Sequence, residues 1–363
     1  MPFRLPRLLP ALGRRATLPA EEDLPPIEEA RLPLHVLAHD AKLSIAQGRL
    51  VVTSGEACQR LCLDDLSQVV LHGGARVTVP TLQALARAGV PVVLLSHRGY
   101  YLGQMLDLSG ATAAVRRAQY RVAEDPRARL GFARDLIGAK LRSAARLARR
   151  RAGTKAEVTV ALDRAVKAAA RARDEAALRG IEGAAAAAWY GAWRMFLKRD
   201  DAICAFDGRS RRPPRDAVNA LLSYLHAVTT GMAANAATAA GLDPAVGVYH
   251  AERPGRPALA LDLVEPFRVG VVDTAVLAGL NEGVFAAEDF AAEDFAVEAE
   301  GGVRLTDGGR RLALDMLERR LSTRFRDGAG ETSWREAMTR SAACLAEGLR
   351  AGRTGLRVPM PAG

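Results

Sequence analysis

Residues 241–268, GLDPAVGVYHAERPGRPALALDLVEPFR, place one histidine, His250, a short Pro/Gly-interrupted loop upstream of two carboxylates, Asp262 and Glu265. The acids stand three residues apart in or beside the apolar run 258–264, so charge is set into a segment that otherwise reads as buried. On a helix that spacing puts both carboxylates on one face. An imidazole nitrogen and carboxylate oxygens converging on one point suit a divalent metal such as Mn2+ or Mg2+. The same letters carry a second reading. Asp262-Leu-Val-Glu265 is also a capping-box pattern, with Asp262 as N-cap, Glu265 at the third helical position and Pro266 in the first turn. The choice between a metal site and a capped helix start rests on what the rest of the chain supplies.

Around this stretch the chain is rich in Ala, Leu and Arg at helical spacing, from about residue 111 onward. The pattern predicts helices over 112–123, 127–151, 155–178, 181–198, 215–240, 262–279, 307–325 and 333–351. Residues 32–110 differ. Short β-type runs dominate there, among them LSIAQ (43–47), RLVVTS (49–54), LSQVVLH (66–72) and VPVVLLSH (90–97), with Gln47-Gly48-Arg49 read as the turn between the first two. One helix, TLQALARAG, ends at Gly89 just before Val90-Pro91. The expected fold class is α+β: a small, mainly antiparallel N-terminal β domain over 32–110, serving as a platform, then a larger all-α catalytic domain over 111–355. Residues 1–31 and 356–363 read as tails. The pentapeptide Ala-Ala-Glu-Asp-Phe, repeated at 286–290 and 291–295, reads as an acidic surface loop without chemistry.

At 363 residues, 49% of them hydrophobic and 25% charged, the chain can bury a substantial core. No uninterrupted apolar run is long enough to cross a bilayer, which argues against a membrane protein. Four scattered cysteines, Cys58, Cys62, Cys204 and Cys344, make no disulfide framework, and the expected compartment is a reducing cytoplasm. Charge is more informative. The net is +10, and residues 111–180 hold 18 Lys/Arg against 7 acids, so that segment alone accounts for the excess. A concentrated basic surface favours a polyanion, with nucleic acid the usual one; a solvated basic helix face is the plainer alternative.

Three further features lie in the helical half. Glu182 opens the run Gly183 to Ala188 and is followed by Trp189-Tyr190. It either complements a helix dipole or, on an alanine face that admits close approach, ligates a metal. Residues 207–216, DGRSRRPPRD, offer Arg209, Arg211, Arg212 and Arg215 in a proline-stiffened loop, a phosphate clamp in outline. Asp216 caps the next helix, on which Asn219 and Ser223 share a face and His226 reads as a packing residue.

Taken in order, these pieces resemble a known family, the CRISPR-associated integrases of spacer acquisition, the Cas-one family. The resemblance is carried by Glu182-Gly-Ala-Ala, by Gly208-Arg209 and the following Arg-Arg-Pro-Pro, by Asp216-Ala-Val-Asn219 through Tyr224, by Gly241-Leu-Asp-Pro244 through His250, and by Leu261-Asp262-Leu-Val-Glu265-Pro-Phe267-Arg268. It implies that Glu182, His250 and Glu265 bind Mn2+ or Mg2+, with Asp262 a further catalytic acid beside them. It implies DNA contacts from Arg209, Arg211, Arg212, Arg215, Asn219, Tyr190 and Arg268. It implies a homodimer formed through the β domain, assembly with the small Cas-two protein into a heterohexamer-type complex, and double-stranded DNA as substrate, both spacer precursors and the CRISPR repeat. A Cas-four nuclease is a further candidate partner. The implied reaction, in antiviral adaptive immunity, is insertion of short DNA fragments into a CRISPR array by 3′-hydroxyl transesterification. Ala187 and Trp189 depart from the family, which often carries an arginine and a tyrosine there. A nuclease without joining activity and a non-catalytic basic scaffold, its acids serving only as helix caps, stay open as rival readings.

Overall fold

Alternating Leu and Val in the first third of the chain can bury a face only by pairing strands, and two sheets result. A computed structural model describes residues 3–4, 31–96, 98–105, 113–210, 213–293, 302–353, 355–356 and 358–361. Strands β1 (Phe3–Arg4), β2 (Leu32–Val36), β3 (Lys42–Ala46), β4 (Arg49–Ser54), β5 (Ala57–Cys62), β6 (Leu66–His72) and β7 (Arg76–Val77) precede helix α1 (Val79–Arg87), and β8 (Val92–Leu95) and β9 (Tyr101–Met105) follow it. One sheet has the order β1-β2-β6-β8-β9 and the other β5-β4-β3-β7. The expected antiparallel pairing is present in β3-β4-β5, β1-β2 and β8-β9, and it is joined by parallel pairing of β2, β6 and β8 and of β3 with β7. Central β6 is buried on both faces, which is what a near-continuous apolar run means in a parallel setting. Gln47 and Gly48 both adopt positive φ, 51° and 71°, making the two-residue turn that suits the twist of a tight hairpin. The sheets close over Leu34, Val36, Leu50, Val52, Leu66, Val69 and Leu85.

The helical half consists of α2 (Ala113–Glu124), α3 (Pro126–Ala152), α4 (Glu157–Ala170), α5 (Glu175–Gly191), α6 (Trp193–Phe196), α7 (Ala217–Ala239), α8 (Ala258–Val264), α9 (Thr274–Asn281), α10 (Asp307–Ser322) and α11 (Trp334–Arg350). Helix α7 is buried along most of its length, the signature of a helix that is apolar all round, and it packs on β8, β9, α8 and α11. Two expected helices are divided differently. The span 155–178 breaks before Asp174, whose carboxylate caps α5 by accepting from the Ala177 N–H, and α5 then runs unbroken through Gly180. The span 262–279 is three pieces: α8, a π-helical turn (Arg268–Asp273), and α9.

The helical half is not purely helical. Two antiparallel strand pairs with four residues per strand, β10 (Phe290–Glu293) with β11 (Gly302–Leu305) and β12 (Arg324–Asp327) with β13 (Gly330–Ser333), lie between its later helices. The first copy of the repeated pentapeptide is structural rather than a plain surface loop. Asp289 is buried and accepts from the Ala286 N–H, while part of the second copy forms β10 and residues 294–295 lie outside the described residues. Trp334, at the start of α11, stands edge-on to Phe267, and Arg320 of α10 lies over the Trp334 ring and donates to the Gly270 carbonyl. Helices α10 and α11 therefore brace the segment just after Glu265. Among the described residues no helix is long and apolar enough to cross a membrane.

Candidate metal centre

Helix α3 presents a buried stripe that includes Ala133, Leu136, Ile137, Ala144 and Ala148, and Lys140 falls on that stripe. Its ammonium reaches between two carboxylates, 2.5 Å from Glu182 Oε1 and 2.7 Å from Glu265 Oε2. Glu182 comes from the middle of α5, two turns in. It does not open its helix as the sequence suggested, because Asp174 has already satisfied the helix start, and the dipole reading of Glu182 falls with it. Its other oxygen, Oε2, accepts from the Tyr249 hydroxyl at 2.7 Å. Glu265 stands at the C-terminal end of α8, where Pro266 ends the helix without cost to an interior hydrogen bond.

Asp262 is not an N-cap. Helix α8 starts earlier, at Ala258 after Pro257, and leaves Asp262 in its last turn with no exposed surface. Its carboxylate accepts from the backbone N–H groups of Val248 (2.6 Å), Tyr249 (3.0 Å) and His250 (2.9 Å), and lies 2.7 Å from His250 Nδ1. The loop can wrap this closely because residue 247 is glycine: a Cβ there would stand 2.7 Å from Asp262 Oδ2 and 2.9 Å from the His250 carbonyl. A carboxylate already gathering three N–H donors also takes Nδ1–H, so the lone pair of His250 falls on Nε2, which faces Glu265 Oε1 at 3.8 Å. That is the tautomer a metal ligand needs, held by the kind of carboxylate partner that ligating histidines have.

Charge around Glu265 is balanced. Burial alone would push its carboxyl up, but Arg268, Lys140 and His250 together hold it well below the usual carboxylate range. Arg268 Nε donates to Glu265 Oε1 at 2.9 Å. Burial likewise works against the Lys140 ammonium, and Glu265 and Glu182 keep it charged. Burial, then the bond to Glu182, pushes the Tyr249 phenol up. Among the described residues no three His, Cys, Asp or Glu groups stand at coordinating distance from one point; the ammonium of Lys140 holds Glu182 and Glu265 instead. The donor set nevertheless fits a hard divalent cation: two carboxylates already converging on a positive charge and one correctly oriented imidazole. Lys140 was missed at the sequence level, although a lysine on the apolar stripe of a helix is a readable signal.

A second buried cluster adjoins the first. Trp189 Nε1 donates to Asp273 Oδ2 at 2.8 Å, and His226 Nε2 lies 3.2 Å from Asp273 Oδ1, so His226 faces a buried carboxyl and is not only a packing residue. Burial pushes the Asp273 carboxyl up to about 6. A carboxyl that binds its proton more tightly folded than unfolded stabilises the fold most below about pH 4, and that contribution is lost as pH rises through about 6, on the order of 3 kcal/mol. Urea unfolding at pH 4.5 and pH 7 should show the wild type losing stability relative to Asp273→Asn over that window. A constant difference between the two proteins would mean that the neighbours fully compensate the Asp273 charge.

The residues expected to contact DNA divide. Asn219 is fully buried: it accepts from Arg209 and from the Ser210 N–H and donates to the Gly208 carbonyl and to Asp216. Its amide is thus fully used within the protein, tying Gly208, Arg209 and Ser210 to the start of α7. Arg209 is turned inward onto Asn219 and Ser223, and Asp216 caps α7 as expected. Arg268, bound to Glu265, and Tyr190, in tilted ring contact with Trp193 and Phe206, are half-buried. Arg215 is exposed, and Arg211 and Arg212 lie outside the described residues. The basic excess of α3, α4 and the turn between them reaches solvent through residues such as Arg142, Lys155, Arg164 and Lys167.

With this geometry in view, the comparisons with known proteins agree. Residues 34–319 match the family model of the CRISPR associated protein Cas1. A CRISPR-associated exonuclease Cas4/endonuclease Cas1 fusion of Rhodospirillum rubrum is 42% identical over 82% of this chain and 52% of its own length, and a similar fusion of Geobacter sulfurreducens is matched over 47% of its length; the chain thus spans about half of these relatives. A CRISPR-associated endonuclease Cas1 of Thermus thermophilus is 37% identical over 87% of this chain and 97% of its own. In fold, the chain is similar to a casposase bound to integration product, with TM-score 0.76, 22% identity and coverage of 89% and 92%. It is equally similar to a Cas6-RT-Cas1–Cas2 complex, with TM-score 0.76, 20% identity and coverage of 92% and 37%. The extent of the family match, which takes in Lys140, Glu182, His250 and Glu265 alike, means that this chain belongs to the Cas1 family.

Proposed function

We propose that this chain is a metal-dependent DNA endonuclease and integrase that inserts short DNA fragments into a CRISPR array by 3′-hydroxyl transesterification, as part of antiviral adaptive immunity. One observation carries the reading. Two carboxylates, half-buried Glu182 and buried Glu265, meet around a single positive charge, beside an imidazole whose Nε2 lone pair is set by Asp262. Glu182, His250 and Glu265 would hold Mn2+ or Mg2+. When bound, the ion supplies Lewis-acid activation of the scissile phosphate and neutralises the leaving 3′ oxygen.

The protein's own tasks are then binding and orientation. Asp262 keeps His250 in the ligating tautomer, and Arg268 balances Glu265 from the side away from Lys140. Exposed Arg215 and the basic surface of α3 and α4 would hold DNA phosphates and neutralise charge as it develops. The nucleophile is the 3′-hydroxyl of the incoming DNA, so no protein nucleophile is needed. A β-platform homodimer is supported by exposed Leu94 and Leu102, adjoining strands of one sheet edge, with exposed Tyr100 beside them. The Cas-two protein and a Cas-four nuclease are the proposed partners, in keeping with the Cas1–Cas2 complex and the fused relatives, and the proposed compartment is the cytoplasm.

The test is strand transfer. The chain and its Cas-two partner are mixed with a labelled short duplex bearing free 3′ ends, a supercoiled repeat-bearing plasmid and Mn2+, with and without EDTA. Joined product that disappears with EDTA is the expected result. Cutting without joining would support a nuclease alone, and DNA binding indifferent to EDTA with neither reaction would return the acids to a scaffold.

A further inference from the structure

We infer that Lys140 is an internal cation that competes with the divalent metal for Glu182 and Glu265, so that metal loading at this centre is an exchange of ammonium for metal rather than the filling of a waiting site. The inference rests on the metal reading above. Its basis is the shared oxygens. Lys140 Nζ lies 2.5 Å from Glu182 Oε1 and 2.7 Å from Glu265 Oε2, and a divalent ion would need those atoms at about 2.0–2.6 Å. Ammonium and metal cannot both hold them.

The arrangement has a reason in the metal-free protein. Glu265 is almost wholly buried and Glu182 is half-buried, and among the described residues Glu265, but not Glu182, has a second arginine or lysine, Arg268, within ion-pair distance. Without Lys140, Glu182 would keep, among the described residues, the neutral Tyr249 hydroxyl beside a second acid, an arrangement that burial penalises heavily. A lysine suits the role better than an arginine. Its charge is a point on a flexible four-carbon stem and can swing away as metal arrives, whereas a guanidinium fork would grip the carboxylates bidentately. Both ends of the exchange are thus met: the acids are never left bare, and the stand-in can leave. Lys140 is in this sense a positioning residue for the carboxylates, and it lowers apparent metal affinity by the fraction of molecules in which its ammonium is seated.

Mn2+ binding to the full chain, purified free of metal, can be followed by the EPR signal of unbound Mn2+, together with thermal unfolding in EDTA. If the seated form outnumbers the open form by about ten to one, Lys140→Met should bind Mn2+ about tenfold more tightly than wild type. It should also melt lower in EDTA and recover when Mn2+ is added. Lys140→Arg should bind Mn2+ no more tightly than wild type. Should Lys140→Met fail to fold without metal, Lys140→Gln, neutral but able to donate to a carboxylate, is read in the same way. A folded neutral variant that binds Mn2+ no better than wild type overturns the competition. His250→Ala separates the two levels. Loss of Mn2+ binding in that variant, with no gain in Lys140→Met, sinks the exchange alone. Binding that is unchanged in His250→Ala, or absent from every protein, sinks the metal reading and the exchange with it.

Discussion

His250→Ala should reduce strand transfer on the order of a thousandfold while leaving the protein folded and bound to DNA. The ring supplies the only nitrogen of the proposed ligand set, and without it the centre keeps two carboxylates that Lys140 can retain. Losses of that order follow removal of one strong electrostatic contact to a developing charge. Stability should change little, by about 1 kcal/mol, because Asp262 still accepts from the three backbone N–H groups of residues 248–250 when the imidazole is gone. Single-turnover strand transfer, a DNA-binding isotherm and a thermal melt on the same preparation check all three parts. Activity within tenfold of wild type would remove His250 from the centre.

Asp262→Asn should be nearly as damaging to the reaction and costlier to the fold. The wild-type carboxylate uses both oxygens as acceptors, Oδ2 toward Val248 and Tyr249 and Oδ1 toward His250 N and Nδ1. An amide has one accepting oxygen and an NH2 that must face donors on the other side. If the NH2 meets His250, the ring can answer only by accepting at Nδ1, which moves its proton to Nε2 and blocks the ligating lone pair. If it meets Val248 and Tyr249, two buried N–H groups lose their acceptor, at about 1–3 kcal/mol each. Strand transfer should fall at least about a hundredfold, as expected when the group orienting a metal ligand is lost, with unfolding free energy lowered by a few kcal/mol. Wild-type activity together with wild-type stability would show that Asp262 serves only as bulk.

The two variants probe what was legible in the chain and what was not. Helices whose apolar stripe is long and cleanly ended were readable: α3, α7, α10 and α11 lie within three residues of the spans expected at each end. Glu182, His250 and Glu265 were singled out from their types and order, and the fold brings all three to Lys140 or its immediate surroundings. The role of Asp262 was not. A capping box and a carboxylate that binds a distant loop share the same four letters, and only the start of α8 at Ala258 decides between them. The parallel pairing of β2, β6 and β8 was hidden for a related reason: strand direction depends on crossovers that leave no local pattern. The place of Asn219 was not legible either: a polar residue beside an arginine loop reads as a DNA contact, and nothing local foretells that it is buried with its amide bonded to Gly208, Arg209 and Ser210.

The bracing of the segment after Glu265 by α10 and α11 bears on when the centre comes into being during synthesis. Phe267 and Gly270 take their final neighbours, Trp334 and Arg320, from chain that emerges from the ribosome well after Glu265 itself, and α11 also packs against α2 at the opposite end of the helical half. Contacts that span so much sequence form late and slowly. A nascent chain would therefore carry Glu182, His250 and Glu265 before it could fix their geometry. Any reaction the centre performs on DNA would be reserved for finished molecules.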